Sequence, residues 1–274
     1  MCHSLRIEAL CGWLVLGVVW SGSGSFASAQ ATEARPTALA VGEELVYNVR
    51  YSFFDLGQIK IQTVKDTRTR EYHAYNGRAD IASYASVPFV HVRAVFESVI
   101  DSAGFSRWFM GKSQEEENRW DFARYDFDYG SGRVLMEVGM NDSMIARRDT
   151  LAVTTPCQDG LSLFFFAREH LFSNHKYTVP TIIKEQNVNT YIDFKNEHET
   201  AEIDAVDYPI DVVRFEGTAD FVGFYGLTGD FEGWFSNDNA RIPITAKLKV
   251  IIGSVTVELV SWKRAGWTPP RSKG

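Results

Sequence analysis

The feature that most constrains this chain is a succession of short runs in which apolar and polar residues alternate, from about Val41 almost to the C-terminus. In the stretch EELVYNVRYSF, for example, Leu45, Tyr47 and Val49 occupy every second position. Alternation with a period of two is typical of β-strands that bury one face. The turns between the runs are rich in Gly, Asn, Asp and Ser, and no gap calls for a crossover helix. The strands are therefore predicted to pair antiparallel.

One segment, QDGLSLFFFAREHLFS, departs from this alternation. Its apolar residues between Leu163 and Leu171 recur at helical spacing, and Asp159 precedes them as a suitable N-cap. The predicted fold class is thus all-β: an antiparallel curved sheet, or an open β-barrel or sandwich, with one short helix at about 160–172. We expect that helix to pack at the mouth of the sheet or inside it.

The alternation changes parity near the end of the chain, in RIPITAKLKVIIGSVTVELV. Apolar residues are even-numbered up to Ile252 and mainly odd-numbered from Val255. A hairpin that turns at Gly253-Ser254 explains the change, because glycine readily adopts the positive φ of a tight turn. It would place Ile252 opposite Val255 and Lys249 opposite Glu258. A β-bulge within one long strand is the alternative.

The first 29 residues have the organisation of a secretory signal peptide. The apolar run CGWLVLGVVW is shorter than the roughly 20 residues that a membrane-spanning helix needs. A small-x-small triplet, Ala27-Ser28-Ala29, follows it. We predict cleavage between Ala29 and Gln30 and a periplasmic location, with an uncleaved N-terminal anchor as the alternative.

Length and composition allow one sizeable domain after cleavage. The chain has 274 residues, 45% of them hydrophobic, and all-β domains of roughly 200–250 residues occur as single units. We predict a polar leader at 30–40, a single antiparallel β domain at 41–264 and a disordered, Pro-rich tail at 265–274. The net charge of −7, without a basic cluster, argues against a nucleic-acid partner. Cys157 would be the one cysteine left, so we expect a buried, inert thiol.

Three stretches of the chain together have a more specific pattern. VGEELVYNVRYSFFDLGQIKI contains a G-E-x-L-x-Y strand, and QDGLSLFFFAR contains a D-x-L-S helix start. GDFEGWFSNDNARIPITAKLKVIIGSVTVEL contains a D-x-x-R-x-P turn and a final Gly-Ser hairpin. In this order the stretches resemble the DUF3108 family of exported bacterial proteins. The resemblance implies an antiparallel β domain of the cell envelope, but no reaction, since the family is named for its unknown function.

No catalytic signature is found: the sequence lacks H-E-x-x-H, G-x-S-x-G, a P-loop and a Rossmann fingerprint. Asp126 and Asp128 lie two apart, hence on one strand face, and would suit the paired carboxylates of a hydrolase. The preferred interpretation is a solvated outer face, with the neighbouring aromatic residues pointing inward. No metal or other cofactor is expected, because none of the mature chain's histidines forms a ligand-spaced pair. These histidines are His73, His91, His170, His175 and His198.

The turn in DNARIP suggests a ligand contact. Arg241 at a cavity mouth, with Asp238 as its partner, would hold a carboxylate or phosphate head group. The structural alternative is a turn in which Asp238 accepts backbone N–H groups. Asp159 and Arg168 are equally ambiguous, since they also suit a helix cap and a helix-end cation. The candidate ligand-binding residues, which include two aromatic ones, are Arg241, Asp238, Trp234, Tyr225, Asp159 and Arg168.

The aromatic content of 14% fits either a filled core, the default, or a sheet around an apolar cavity. Our leading hypothesis is a non-enzymatic periplasmic protein that binds a lipid or other apolar ligand, or assists envelope assembly. It would not be an integral membrane protein after cleavage. The alternatives are a structural domain that contacts an envelope protein, and a cell-wall or glycan hydrolase acting through acidic residues such as Asp126 and Asp128.

Overall fold

The computed structural model describes residues 38–68, 73–88, 91–141, 143–222, 227–250 and 253–273. In these ranges the chain forms fourteen β-strands and one α-helix, α1 (Ser162–His170). The strands before α1 are β1 (Glu44–Tyr51), β2 (Phe54–Arg68), β3 (His73–Ser83), β4 (Arg93–Asp101), β5 (Ser106–Glu116), β6 (Arg119–Asp128), β7 (Arg133–Met140) and β8 (Met144–Ala152). Those after it are β9 (Lys176–Ile183), β10 (Gln186–Ala201), β11 (Ile210–Val222), β12 (Leu227–Ser236), β13 (Pro243–Val250) and β14 (Ser254–Lys263).

All fourteen described strands belong to one antiparallel sheet, ordered β8-β7-β6-β5-β4-β3-β2-β1-β14-β13-β12-β11-β10-β9. Consecutive strands pair with each other, except β8 and β9, and β1 also pairs with β14. The first and last strands therefore lie side by side in the middle of the sheet. The edges are β8 and β9, and α1 lies on the connection between them. The predicted all-β class with one helix is confirmed.

The sheet curves, so that strands from its two ends come into contact. Ile182 on β9 packs in the same apolar cluster as Phe109 on β5 and Tyr125 on β6. Close by, Arg147 on β8 lies 3.0 Å from the Glu185 carboxylate in the β9–β10 turn. These contacts give the sheet the shape of an open barrel with an apolar interior.

The helix contacts two apolar clusters of the sheet, because its neighbouring phenylalanines pack into different ones. Phe165 lies in the cluster built on β1–β4 and β11–β14, whereas Phe166 lies in the cluster of β9–β12. Phe165 fits because Gly77 on β3 has no side chain: a Cβ there would lie 2.5 Å from the ring carbon Cε2. Gly77 thus determines how closely α1 approaches the sheet.

Ion pairs between neighbouring strands cover the outer face of the sheet. The guanidinium of Arg78 on β3 lies 2.6 Å from the Glu97 carboxylate on β4. Arg148 on β8 lies 2.8 Å from Glu137 on β7, which also binds Arg124 on β6. Exposed pairs of this kind contribute little stability each, but they keep the outer face polar.

The predicted hairpin near Gly253 is present, but its turn lies two residues earlier than expected. Gly253 has the predicted positive φ, 83°. The N–H of Val250 donates to the carbonyl of Gly253 at 3.1 Å, which closes the hairpin. Lys249 consequently pairs with Ser254, so its predicted pairing with Glu258 is wrong. Ile252, the predicted partner of Val255, lies outside the described residues.

The register differs because β13 and β14 each have a second neighbour. Outside the hairpin, β13 pairs with β12, and the ammonium of Lys249 lies 3.1 Å from Asp230 on that strand. Outside the hairpin, β14 pairs with β1, and Tyr51 of β1 lies opposite Val255. The register of one hairpin thus depends on four strands, which a turn signal alone does not reveal.

The sequence predicts a disordered tail at 265–274. In the structure, residues 265–273 instead make defined contacts with the rest of the domain. The carbonyl of Pro270 accepts a hydrogen bond from Asp211 N–H at 2.8 Å, and Ser272 N–H donates to Pro209 at 2.9 Å. The Arg271 guanidinium lies 3.8 Å from the ring centre of Tyr208. Backbone pairing and ring contacts fix this Pro-rich segment. Residues 38–40, the end of the predicted polar leader, also belong to the domain unit, which spans Pro36–Gly274.

Replacing Gly77 with alanine should destabilise the protein by about 1–3 kcal/mol, because the new Cβ would overpack against Phe165. Urea unfolding measures this change. Gly160→Ala is the control, since a Cβ at Gly160 would meet no atom within 4 Å and the residue has no positive φ. We expect the control to change stability by less than about 0.5 kcal/mol. Equal stability of the two variants would contradict the packing role of Gly77.

Candidate functional site

A cavity of about 690 Å³ lies between the inner face of the curved sheet and the β9–β10 hairpin. This volume is within the range of about 300–1,000 Å³ that is usual for small-molecule sites. Its walls come from both halves of the sheet, and most of the lining side chains are aliphatic or aromatic. Representative ones are Ile59, Ile81, Phe96, Phe109, Val138 and Val257.

The cavity exists because small residues occupy neighbouring positions on its wall. Gly111 on β5 pairs with Ala123 on β6, and both line the cavity. A Cβ at Gly111 would lie 3.0 Å from Phe109 and 3.3 Å from Phe96, so the glycine lets these two rings lie close against the wall. Ala94 on β4 adds a further small side chain. Small residues between large aromatic ones leave a hollow where a close-packed core would otherwise form.

Polar groups are few and lie mainly at the cavity margin. Ser113 on β5 pairs with Asp121 on β6, and both contribute to the lining. Glu185, in the β9–β10 turn, accepts hydrogen bonds from the Tyr125 hydroxyl at 3.3 Å and from Arg147 at 3.0 Å. Burial raises the pKa of Tyr125, so its hydroxyl stays protonated and remains a donor. The Glu185 carboxylate is thus engaged by the protein itself.

The β9–β10 turn has the backbone needed to bring Glu185 to the cavity. Lys184 and Glu185 both have positive φ, 49° and 60°. Two consecutive residues of this kind are typical of a type I′ hairpin turn. Residues other than glycine adopt positive φ at a cost, which neighbouring contacts must offset. The bonds from Tyr125 and Arg147 to Glu185 provide that support.

Asp159 lies below the cavity and is fully buried. Its carboxylate accepts the backbone N–H groups of Leu161 at 2.7 Å and Ser162 at 2.8 Å at the start of α1, although the N-cap residue of the helix is Leu161 and not the predicted Asp159. The hydroxyls of Ser98 and Ser106 also donate to it, at 2.8 and 2.7 Å. Burial raises the pKa of Asp159, although these donors oppose the rise. Groups of the protein thus donate to both of its carboxylate oxygens.

Arg168 is also fully buried and makes an ion pair with Glu43. Its two terminal nitrogens lie 2.5 and 3.0 Å from the two carboxylate oxygens, a bidentate arrangement. Arg168 donates further to the carbonyls of Ala38 at 3.0 Å and Ala240 at 2.9 Å. Arg264, just after β14, binds the same carboxylate of Glu43. The group formed by Glu43, Arg168 and Arg264 is called the buried charge cluster below.

Asp238 and Arg241 adjoin the buried charge cluster and follow the structural interpretation of the DNARIP turn. Asp238 accepts the backbone N–H of Arg241 at 3.0 Å and the indole N–H of Trp267 at 2.7 Å. Arg241 has a φ of 47° and donates from its side chain to the carbonyl of Glu169 at 2.9 Å. Its backbone carbonyl accepts from Arg168 at 3.2 Å.

The remaining two candidates lie elsewhere. The indole N–H of Trp234 donates to Glu199 at 2.6 Å, and the Lys247 ammonium lies 5.4 Å from its ring centre. Tyr225 lies outside the described residues. The structure therefore brings Arg168, Asp238 and Arg241 together in one network, whereas the polar contacts of Trp234 are with Glu199 and Lys247. None of the five described candidates lines the cavity.

Sequence reasoning missed the residues that do line the cavity. A usable signal was present: small residues such as Gly57, Ala94, Gly111 and Ala123 recur at inward positions of strands that otherwise carry large apolar side chains. In a close-packed core such positions alternate with large residues on the facing strand. Here they cluster on neighbouring strands.

The acidic residues of β6 follow the solvated-face interpretation. Tyr125 and Phe127 are buried, whereas Asp128 is exposed and Asp126 lies on the same outer face. Burial raises the pKa of Asp126, and hydrogen bonds from Ser131 lower the pKa of Asp128. Neither carboxylate lines the cavity. Among the residues that the structure describes, no group of three or more His, Cys, Asp or Glu side chains could hold a metal ion.

Removing the charge of Glu43 should be costly, because the buried Arg168 and the partly buried Arg264 would lose their counter-ion. We expect Glu43→Gln to lower the free energy of unfolding by about 3–5 kcal/mol, measured by urea unfolding. Glu44→Gln is the matched control, since the adjacent Glu44 is partly exposed and bonds to Gln62 at 2.8 Å. Its effect should stay below about 0.5 kcal/mol. If both variants lose the same stability, the buried charge cluster has no special role.

Cys157 is buried, as expected, and burial raises the pKa of its thiol to about 11. The folded protein should therefore react with a thiol reagent at about pH 8 at least tenfold more slowly than the urea-unfolded chain. Because the folded-state pKa is the higher one, the thiol's contribution to stability is lost as the pH rises from about 9 toward 11. Rapid labelling under native conditions would show that the thiol is accessible.

Comparison with known proteins supports the fold. A β-barrel-like protein of the domain of unknown function DUF1849, from Brucella abortus, aligns with a TM-score of 0.52 and 9% identity, covering 81% of this chain and 96% of that one. A proposed exported protein with a YmcC-like fold, from Bacteroides fragilis, aligns with a TM-score of 0.34 and 7% identity over 82% and 97%. The first likeness shows the fold alone, and the second is too weak to carry an argument.

Comparison with curated protein sequences gives no significant match. The sequence model of one family, described as protein of unknown function (DUF3108), matches residues 46–260. This match runs from β1 to β14 and includes α1 and most of the cavity wall. The chain therefore belongs to the DUF3108 family.

Proposed function

We propose that this is an exported periplasmic protein that binds an apolar ligand, such as a lipid acyl chain, without catalysing a reaction. The observation that carries the proposal is the apolar cavity of about 690 Å³ inside the curved sheet. Protein cores normally contain few voids larger than a water molecule. A cavity of this size, lined by aliphatic and aromatic side chains, is best explained by a ligand that fills it.

The chemistry of the cavity wall favours an extended apolar ligand over a charged one. Glu185 is already bonded to Tyr125 and Arg147, and the other polar lining groups lie near the margin. A charged ligand buried among Phe96, Phe109 and their neighbours would lose hydration without compensation. An acyl chain would instead gain about 25 cal/mol for each Å² of apolar surface removed from water. The Ser113–Asp121 pair would lie near its polar end.

The location in the periplasm is part of the proposal. It is supported by the signal-like organisation of residues 1–29 and by the predicted cleavage between Ala29 and Gln30, which lie outside the described residues. Within the described ranges, no α-helix is both long and apolar enough to span a bilayer. Native mass spectrometry, combined with lipid extraction of protein purified from its own periplasm, tests the proposal directly. Absence of a co-purified ligand, together with failure to bind any apolar probe, would refute it.

Filling the cavity should weaken ligand binding. Ala123→Leu adds bulk at a position that lines the cavity and pairs with Gly111. We expect at least tenfold weaker binding of a fluorescent fatty acid, measured by titration in detergent-free buffer. Ala152→Leu is the matched control, because Ala152 is an exposed residue at the end of β8 and lies outside the cavity lining. Its affinity should equal that of the wild type.

Two measurements keep this test interpretable. Urea unfolding and circular dichroism would establish that Ala123→Leu is folded. Ala94→Val, at a second lining position on β4, should weaken binding in the same direction. Unchanged affinity in both folded variants would place the bound probe outside the cavity and contradict the proposal.

A second candidate function, an interaction domain of the envelope, is supported by strand β8. Its side chains are almost all exposed, Met144 and Ile145 by 58% and 37%. As an edge strand it pairs only with β7 within the described sheet, so a strand of another protein would be able to add to it. Arg147, Arg148 and Asp149 place charges on this edge, which normally discourages such pairing. Crosslinking from β8 positions in cells distinguishes the two functions.

A further inference from the structure

Two exposed phenylalanines form the tip of the β1–β2 hairpin. Between the two strands, Ser52 has a φ of 54°, and β2 begins at Phe54. The side chains of Phe53 and Phe54 are 78% and 58% exposed, and their ring centroids are 4.1 Å apart. This pair is called the aromatic tip. Large apolar groups that project together into solvent are unfavourable unless another surface covers them.

The aromatic tip adjoins the end of the cavity. Leu56 and Gly57, which follow Phe54 closely on β2, both line the cavity. Val49 on β1 pairs with Gly57 and lines it as well. Val255, at the start of β14, contributes to the same end of the wall and pairs with β1. A surface that covers the aromatic tip would therefore also meet the part of the cavity formed by these residues.

The charges around the aromatic tip indicate what kind of surface this is. Within the tip itself, residues 50–55, the cation is Arg50, and it lies 3.1 Å from Asp55 and 3.4 Å from Asp204. One positive charge is thus matched by two negative ones. The chain as a whole carries −7. Attraction to an anionic surface would require an excess of Lys and Arg, so the favoured partner has no net charge.

We infer that the aromatic tip inserts into a zwitterionic phospholipid surface and holds the adjoining end of the cavity against it. This inference rests on the proposed function, because it supplies a route for the same apolar ligand. An acyl chain in water is strongly unfavourable, so direct contact between the cavity and the lipid surface shortens its exposure. Aromatic side chains bury large apolar areas at such a boundary. Coulomb attraction contributes little, so binding does not depend on salt.

Flotation with phosphatidylcholine vesicles tests the inference, using protein purified after export. The wild type should bind the vesicles equally at about 0.1 M and about 1 M salt, although the Debye length falls from about 10 Å to about 3 Å over this range. Adding phosphatidylglycerol should not strengthen binding. The variant Phe53→Ser/Phe54→Ser should bind at least tenfold more weakly.

A matched control removes two exposed apolar side chains from another place. Val41 and Val64 are 53% and 51% exposed. They lie at the opposite end of β2 from the aromatic tip, where Gly42 N–H donates to Thr63 at 2.9 Å. Val41→Ser/Val64→Ser should bind vesicles like the wild type. Equal losses in the two double variants, no vesicle binding by the wild type, or binding that needs anionic lipid and disappears with salt would each overturn the inference.

Titration with the free fluorescent fatty acid separates this inference from the proposed function. Phe53→Ser/Phe54→Ser should retain wild-type affinity for the dissolved probe, because neither residue lines the cavity. Transfer of the probe from vesicles to this variant should be at least tenfold slower. Probe binding without vesicle binding would overturn the membrane contact alone, whereas vesicle binding through the tip without probe binding would overturn the ligand cavity.

Discussion

The ion pair between Glu43 and Arg168 connects more of the molecule than any other contact described above. It is fully buried, and Arg168 also binds the carbonyls of Ala38 and Ala240. One guanidinium thereby fixes the N-terminal segment, α1 and the turn before β13. Arg264 also binds Glu43, and this contact ties the segment after β14 to the same ion pair. A buried pair of this kind is weak evidence for extra stability, but losing one partner is strongly destabilising. The position of α1 depends on it, and Gly160, which lies just before α1, lines the cavity.

The interior has a filled part around α1 and a hollow part. Phe165 and Phe166 occupy the space between the two halves of the sheet, and Asp159 satisfies the donors at the start of α1. In the hollow part, Gly111, Ala123 and their small neighbours line the open cavity. Rows of ion pairs keep much of the outer face polar, whereas the aromatic tip is apolar and lies beside the cavity. Their proximity is the physical basis of the proposed exchange with a lipid surface.

Local patterns predict the fold class but not the site. The period of two in EELVYNVRYSF and the helical spacing after Asp159 are properties of single elements, and the structure contains both. The register of β13 and β14 depends on β1 and β12, which explains why the predicted Lys249–Glu258 pair does not form. The cavity depends on curvature that brings Ile182 near Tyr125, although these residues are far apart in sequence. Polar residues such as those of the DNARIP turn suit a ligand or a turn equally well, and only their contacts distinguish the two.

The pairing of β1 with β14 also has a consequence for the order in which the chain can assemble. Glu44 lies opposite Lys263, so nearly the whole domain separates the two partners in sequence. Hairpins on either side can form locally, but the central seam of the sheet closes only when the last strand is available. A chain that crosses a membrane in extended form, N-terminus first, would thus remain unable to complete its sheet during transit. Under the proposed export, this topology would delay completion of the sheet until the last strand has crossed.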